Sequence, residues 1–227
     1  MHPTSNVRYV EIEGAAVVLD LRTESYTVLD PIATEMWRHL VRTEDRKAVV
    51  LALHEKYGVE ESRLEADLEA FAKQCVEKGF LQKDPPAPPP ELPQVAKMGR
   101  KSFLTLRAWW SLLRTARTLR KSGFAKVYER YRSIPIPECD DLKERLHDAL
   151  AAFASAENFF HMKKAPEDCL PRSLSLFRFL RAVGLPAHHC IGVRRYPFGA
   201  HAWVEIDGGV VHDHPEQLKV YTRIAVT

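Results

Sequence analysis

The sequence lacks the marks of a membrane-bound or secreted protein. No stretch approaches the roughly 18 consecutive apolar residues that a membrane-spanning helix needs, and residues 1–9 lack the apolar core of a signal peptide. Cysteine is also scarce: the 4 cysteines are scattered and form no CxxC pair, which excludes a disulfide framework. We therefore expect a cytoplasmic protein without a membrane span, in which each cysteine is either a buried apolar residue or a reactive group.

The net charge of +3 conceals an uneven distribution of charge along the chain. Lys and Arg number 11 against 15 Asp and Glu in residues 1–83, 11 against 3 in residues 84–135, and 11 against 12 in residues 136–227. Six of the 15 prolines fall between Pro85 and Pro93, and such runs form semi-rigid extended spacers. These shifts predict a first domain over 1–83, a Pro-rich linker over 84–100 and a second domain over 101–227.

The first part of the chain predicts a small winged helix of three strands and three helices. Strands are predicted where the chain alternates or runs apolar, at 7–12, 15–21 and 25–29. Helices are predicted from Asp30-Pro31 onward, over 46–57 and over 62–78, the last one ending at Gly79. Ile32, Met36, Trp37 and Leu40 are predicted to form the apolar face of the first helix.

The charge of this winged helix decides between two kinds of ligand. Winged helices often bind DNA, but an acidic domain would repel the phosphates on whose neutralisation DNA binding depends. A three-stranded sheet has an open edge that can accept an extended peptide as a further strand. We therefore predict that the first domain binds a peptide and that the protein binds no nucleic acid.

Residues 17–37, VVLDLRTESYTVLDPIATEMW, followed by a helix that ends in GFL, resemble the PqqD-like RiPP recognition element. Members of that family bind the leader peptides of ribosomally made natural products, and the match spans nearly all of residues 6–82. The resemblance implies that a leader pairs with the third strand and lies against the third helix. The positions implied are Ser25, Tyr26, Thr27, Val28, Leu29, Leu64, Asp67, Leu68 and Phe71. A plain core role stays open for Tyr26, Trp37 and Leu68.

The basic middle of the chain predicts an amphipathic helix. Residues 102–121 interleave apolar and basic side chains, Gly123 is expected to break the helix, and further helices are predicted over 125–132 and 141–157. The basic side is either the solvated face of a core-packing helix or a docking surface for an acidic partner.

Cys169 is predicted to lie in the first turn of a helix that runs to about Val183. Pro166 and Pro171 are tolerated near a helix start, and Glu167 and Asp168 suit a first turn. The unpaired N–H groups and the positive end of the helix dipole stabilise a thiolate there. Cys169 is therefore a candidate nucleophile.

Two downstream strands supply the partners of this cysteine. Strands are predicted over 187–193, from near His201 to Ile206, and over 209–213, with a hairpin turn at Asp207-Gly208-Gly209. Pairing residues whose numbers sum to about 414–416 across this hairpin places Asp213 opposite His201. A helix-start Cys, a strand His and an adjacent Asp match the constellation in which His takes the thiol proton and Asp orients the imidazole.

Three motifs in this region resemble the B protein of lasso peptide biosynthesis, whose protease part is a transglutaminase-like (papain-like) leader peptidase. They are CLPRSLSL at 169–176, GVRRYPFGAHAWVE at 192–205 and GGVVHD at 208–213. The resemblance covers about residues 105–227, and a recognition element fused ahead of the protease is one of the family's layouts. It implies an α+β protein, a winged helix followed by a cysteine protease domain.

By this resemblance Cys169 is the nucleophile, His201 the general base and Asp213 the orienting residue. The implied partners are a precursor peptide, whose leader is cleaved off, and a separate ATP-dependent, asparagine-synthetase-like cyclase. His212 departs from the family, which more often has Asn or another polar residue at this position.

Several alternatives stay open on the residues alone. His188, His189, Cys190, His201, His212 and His214 could be interpreted as zinc ligands, but no HExxH helix supports a metalloprotease, and we expect neither a metal nor another cofactor. Cys75, Cys139, Cys190 and Trp203 are predicted to pack in the core, and Glu205 to be either a partner behind His201 or solvated. A non-catalytic leader-binding scaffold and an amide-crosslinking transglutaminase are the competing functions.

Overall fold

The computed structural model describes residues 1–42, 45–85, 103–159 and 169–227. The chain divides into two compact units, Met1–Pro89 and Pro90–Thr227. Each unit combines helices with antiparallel strands, which confirms the predicted α+β class. The predicted linker lies outside the described residues from 86 onward, as do Ser102 and the predicted helix-start residues 166–168.

The first unit contains the three strands and three helices predicted for a winged helix. Its elements are β1 (His2–Pro3), β2 (Val7–Ile12), β3 (Ala15–Asp20), β4 (Ser25–Val28), α1 (Pro31–Arg42), α2 (Arg46–Tyr57), α3 (Glu61–Glu77) and β5 (Leu81–Gln82). The order β2-β3-β4 makes one antiparallel sheet, while β1 pairs with β5. This second ladder joins the two ends of the unit and is too short to show a period in the sequence.

The core of the first unit lies between the sheet and the helices. The central strand β3 is buried along its whole length, and the predicted core role of Trp37 is confirmed because its side chain is fully buried beside Val18. The predicted core role of Ile32 is wrong, since this side chain is 38% exposed. The buried position belongs instead to Thr34, whose hydroxyl accepts a hydrogen bond from the Ala16 N–H at 2.9 Å.

The described residues of the second unit form three long helices and one short helix beside a four-stranded antiparallel sheet. Its elements are α4 (Leu104–Arg132), α5 (Leu142–Phe159), α6 (Cys169–Ala182), β6 (His188–Arg194), β7 (Gly199–Ile206), β8 (Gly209–Val211), α7 (Pro215–Leu218) and β9 (Thr222–Val226). The sheet order is β8-β7-β6-β9. The predicted break at Gly123 is confirmed by its non-helical φ of 73° and ψ of 165° within α4.

Helix α4 anchors α6, the helix that carries Cys169. Its buried side includes Ala108, Leu112 and Ser111, and the Ser111 hydroxyl donates a hydrogen bond to the Ser175 carbonyl of α6 at 2.8 Å. One side of α4 is therefore a core-packing face. Among the described residues, no helix combines the length and apolar character needed to cross a bilayer.

Candidate active site

The structure brings the side chains of Cys169, His201 and Asp213 together. They come from the first residue of α6, from β7 and from the turn after β8. The His201 Nε2–H donates a hydrogen bond to Asp213 Oδ2 at 2.8 Å, and the Cys169 side chain also hydrogen-bonds to His201. Because Asp213 engages Nε2, the ring nitrogen left for the Cys169 thiol is Nδ1.

Accessibility and a histidine partner together separate Cys169 from the other cysteines. Cys75 and Cys190 are buried, and burial raises the pKa of their thiols to about 11 and about 12. Cys139 is half-buried, and its sulfur accepts a hydrogen bond from Arg145 at 3.3 Å. Cys169 is also half-buried but opens into a cleft lined by Trp203 and Asp213 among others. It is the cysteine of this set with a histidine at hydrogen-bonding distance.

A tight turn, rather than regular strand pairing, aims Asp213 at His201. The predicted strand over 209–213 is wrong at its end, because β8 stops at Val211. The observed register pairs Val204 with Val211, so a regular continuation would place His214 beside His201 and turn Asp213 to the opposite face of the sheet. His212 instead adopts a φ of 60°, in the left-handed region, and thereby redirects Asp213.

The Asp213 carboxylate is held through both of its oxygens. Oδ2 accepts from His201, and Oδ1 accepts from the main-chain N–H of His214 at 2.8 Å. The hydrogen bond from His201 lowers the pKa of Asp213. The same hydrogen bond, together with that from Cys169, raises the pKa of His201 from 6.5 to about 9. The carboxylate therefore stays ionised and favours the protonated ring.

Two aromatic side chains fix the plane of the His201 ring. Trp203 stacks on it with the ring centroids 6.3 Å apart, and the Tyr221 ring lies 5.8 Å away. A glycine opposite His201 makes room for this arrangement, since a Cβ at Gly192 would lie 2.5 Å from the Trp203 ring. The predicted packing role of Trp203 is confirmed by its 3% exposure.

Glu205 takes the first of the two roles predicted for it, since it lies behind His201 and acts on it through Trp203. Its carboxylate is buried, which excludes a solvated side chain, and it accepts hydrogen bonds from Trp203 Nε1 and from Arg223, each at 2.7 Å. Glu205 thus supports the aromatic neighbour of His201.

The histidines considered as zinc ligands have other partners. The His188 Nδ1–H donates to the Thr227 carbonyl at 2.9 Å, and His189 Nε2 lies 2.9 Å from the Ser173 hydroxyl. Burial lowers the pKa of His189 to about 3, so this ring is neutral. Across the described ranges, no three His, Cys, Asp or Glu side chains are grouped as a metal site would require.

The edge strand β4 carries four of the residues predicted to bind a leader, and a fifth follows it directly. Ser25 and Val28 are exposed, Tyr26 and Thr27 are half-buried, and Leu29, just after the strand, is buried. Among the described strands β3 is the one neighbour of β4. The Leu29 N–H donates to the Ala16 carbonyl, and main-chain groups alternate in direction along a strand, so those of Val28 point toward the open edge.

On helix α3 the predicted leader-binding residues divide into core and surface. Leu64 and Leu68 are only 2% and 3% exposed and pack with Met36 in a buried cluster. Leu68 also lines a pocket of about 310 Å³ together with Leu40, Val49 and Ala72. Asp67 is exposed and Phe71 half-buried, so of the four predicted α3 residues these two are accessible to a peptide.

Comparison with known proteins assigns the second unit to a family. Residues 103–226, more than half of the chain, match the family model described as the transglutaminase-like superfamily. The chain belongs to this superfamily. Residues 15–81 match a second family, coenzyme PQQ synthesis protein D (PqqD).

Two individual proteins resemble parts of this superfamily member. The microcin J25-processing protein McjB of Escherichia coli is 45% identical over 66 residues, which is 29% of this chain and 32% of McjB. The chain therefore matches about a third of the length of that curated relative. A solved chain titled TbiB1 in complex with the TbiA(beta) leader peptide is 26% identical with a TM-score of 0.34, covering 37% of this chain and 98% of that one.

The raised pKa of His201 predicts that the transglutaminase-like unit loses stability in mild alkali. The folded protein binds this proton more tightly than the unfolded chain, so the stabilisation is complete below pH 6.5 and is lost as the pH rises through about 9. Melting temperatures measured across this interval should fall for the native protein and fall less for His201→Gln. If the melting temperatures of both proteins fall equally with pH, His201 is not the group with the raised pKa.

The sequence did not identify Glu157 and Arg172 as functional residues, and it suggested His212 only as a possible zinc ligand. Arg172 Nε donates to Glu157 Oε1 at 2.6 Å, and the His212 ring nitrogen Nε2 lies 2.6 Å from Glu157 Oε2. One signal was available: Glu157 shares the buried stripe of α5 with Ala149 and Phe153, and a charged residue on an apolar helix face requires a buried partner. The identity of that partner depends on tertiary packing.

Proposed function

We propose that this protein is a cysteine peptidase of lasso peptide biosynthesis that binds the leader of a ribosomally made precursor and cleaves it off. The observation that carries the proposal is the hydrogen-bonded arrangement of Cys169, His201 and Asp213. Two similarities support it: the PqqD match ahead of the transglutaminase-like unit and the identity with McjB, a processing protein by name.

The chemistry follows from the three side chains. With a pKa of about 9, His201 holds a proton at neutral pH, and the reactive form of a Cys–His pair is a thiolate beside an imidazolium. The Cys169 sulfur attacks the carbonyl that joins leader to core, and the His201 proton passes to the departing amine. Water then hydrolyses the thioester, with His201 as the base.

Two further groups assist this reaction. Asp213 keeps the His201 ring in the orientation that presents Nδ1 to the sulfur. The main-chain N–H of Cys169, which the sequence predicts to lie in the first turn of its helix, can donate to the oxyanion.

The core peptide that this cleavage releases is suited to be the substrate of a second enzyme. Cleavage in this direction leaves the leader on the sulfur and releases the core peptide with a free amine. A free amine is the nucleophile that a macrolactam requires, so the consuming partner is a separate ATP-dependent cyclase. We place this sequence of reactions in the cytoplasm, where the precursor is synthesised.

Leader binding on the same chain supplies selectivity. A leader that adds a strand at the edge of β4 and rests on Asp67 and Phe71 of α3 holds its cleavage site at high effective concentration near Cys169. A modest active site then cleaves the bound precursor in preference to other peptides.

Incubation with the full precursor followed by mass measurement tests the proposal. Hydrolysis yields two fragments whose masses sum to that of the precursor plus one water. A scaffold without activity leaves the precursor intact, and an amide-crosslinking transglutaminase yields a product lighter by one ammonia. Either of these two results would refute the peptidase assignment.

Proline at position 28 should weaken leader binding without unfolding the first unit. The Val28 main chain points away from β3, so Val28→Pro removes a donor at the open edge and spares the β3–β4 ladder. Loss of one main-chain hydrogen bond to the leader predicts a Kd weaker by about tenfold. Val28→Thr keeps the N–H and serves as the matched control in a fluorescence-anisotropy titration. Equal affinities for both variants would exclude pairing at this edge.

A further inference from the structure

Glu157 and Arg172 form a buried, charged cluster that contacts the turn carrying Asp213. The structure assigns a positioning role to Glu157 and Arg172: through His212 they hold the turn that aims Asp213 at His201. The role of this cluster as part of a catalytic device rests on the proposed peptidase function, whereas its effect on the His201 ring does not.

The cluster binds both the side chain and the main chain of His212. Its ring nitrogen Nε2 lies 2.6 Å from Glu157 Oε2, and its carbonyl accepts a hydrogen bond from Arg172 at 3.3 Å. The Phe153 ring packs against the His212 ring in a T-shaped arrangement, with the ring centroids 5.5 Å apart. The ring of His212 is thus fixed by Glu157 and Phe153, and its main chain is fixed by Arg172.

The conformation of His212 requires such support. A φ of 60° is uncommon for residues other than glycine, and it persists where surrounding contacts hold it. Without this turn, the register of β7 and β8 would direct Asp213 to the other face of the sheet. The contacts of His212 therefore determine whether Asp213 can reach His201.

The cluster is itself satisfied, which makes it a rigid support. Glu157 and Arg172 have side chains that are 9% and 16% exposed, and both Glu157 oxygens have partners. Burial raises the pKa of Glu157, but hydrogen bonds from His212 and Arg172 outweigh this, so the pKa is lowered and the carboxylate stays charged. A fully paired buried network of this kind specifies one geometry, whereas loss of one partner leaves an uncompensated charge.

The pKa of His201 reports directly on this geometry. The titratable groups that face the ring are Asp213 from the turn, Cys169 from α6 and Tyr221 ahead of β9, while the uncharged Trp203 stacks on it. The hydrogen bond from Asp213 is the largest cause of the rise to about 9. A turn that no longer aims Asp213 at the ring therefore returns the pKa toward 6.5.

NMR titration of the His201 imidazole in Arg172→Met tests the inference, with the signal assigned by its loss in His201→Gln. We expect the midpoint to fall from about 9 toward 6.5, and kcat for leader removal to fall about a hundredfold with leader affinity unchanged. Arg172→Lys should restore part of the His201 midpoint and part of kcat. Arg178→Met, which removes a partly buried arginine of the same helix that contacts Ser111, is the matched control and should change neither.

Two substitutions at position 212 keep the test decisive if Arg172→Met does not fold. His212→Asn tolerates the left-handed turn and should retain a high His201 midpoint, whereas the β-branched His212→Val should lower it. An unchanged His201 midpoint in folded Arg172→Met or His212→Val would overturn the positioning role. If instead the midpoint falls as expected but the native protein cleaves no precursor, the peptidase proposal fails and the positioning role stands.

Discussion

Cys169→Ala should abolish leader removal and leave leader binding unchanged. The substitution removes the sulfur that forms the thioester, and loss of the nucleophile costs at least about a thousandfold in rate because the remaining groups act as a unit with it. Binding persists because the residues proposed to contact the leader belong to the first unit. Mass measurement of the reaction products and an anisotropy titration with the leader determine the two quantities separately.

A matched cysteine makes this result specific. Cys139 is half-buried like Cys169, but its sulfur contacts Arg145 instead of a histidine, so Cys139→Ala should retain activity. Iodoacetamide at neutral pH should label Cys169 faster than a thiol of the unfolded chain, and label Cys75 and Cys190 only after unfolding. Full activity in Cys169→Ala, or slow labelling of Cys169, would exclude it as the nucleophile.

Asp213→Asn should lower the rate of leader removal by about a hundredfold to ten-thousandfold. Asparagine keeps the size of the side chain but lacks the charge that holds the His201 ring protonated and correctly turned. The alkaline limit of activity should move from about 9 toward 6.5, because the hydrogen bond from Asp213 is the largest cause of the raised pKa of His201. A pH–rate profile under saturating precursor measures both effects.

Asp207→Asn is the control for this substitution. Asp207 occupies the turn between β7 and β8 with a φ of 48°, a conformation that asparagine tolerates well. It lies on the same hairpin as His201 without contacting the ring. An alkaline limit that stays at about 9 in Asp213→Asn would show that another group sets the pKa of His201.

Local signals in the sequence located the elements and two of the three side chains proposed for catalysis. The alternation at 7–12 and the apolar run at 15–21 are properties of neighbouring residues, as is the pattern that predicts the helix carrying Cys169. Asp213 was placed near His201 by counting across the hairpin, but the observed register differs by one residue from the pairing that the count assumed. The side chains meet because His212 leaves the strand conformation, which the apolar run before it does not indicate.

Residues that act across long sequence separations were not predictable in the same way. Glu157, Arg172 and His212 meet from α5, α6 and a turn, and no periodicity relates three such positions. On α3 the opposite occurred, since the family resemblance implied a peptide-facing role for Leu64 and Leu68, whereas their apolar spacing is that of a core face. Their burial beside Met36 follows from how α3 packs within its unit.

The short strand β4 limits how selectively main-chain pairing alone can bind a peptide. A strand of four residues offers a visiting chain only a few main-chain hydrogen bonds, and main-chain bonds do not distinguish one extended peptide from another. Unrelated peptides, and the edges of other copies of this protein, therefore gain little by docking there, which protects an open edge from aggregation. If a leader binds at this edge as proposed, discrimination must come from its side chains, so mutations in the leader should alter recognition far more than equal changes in its length.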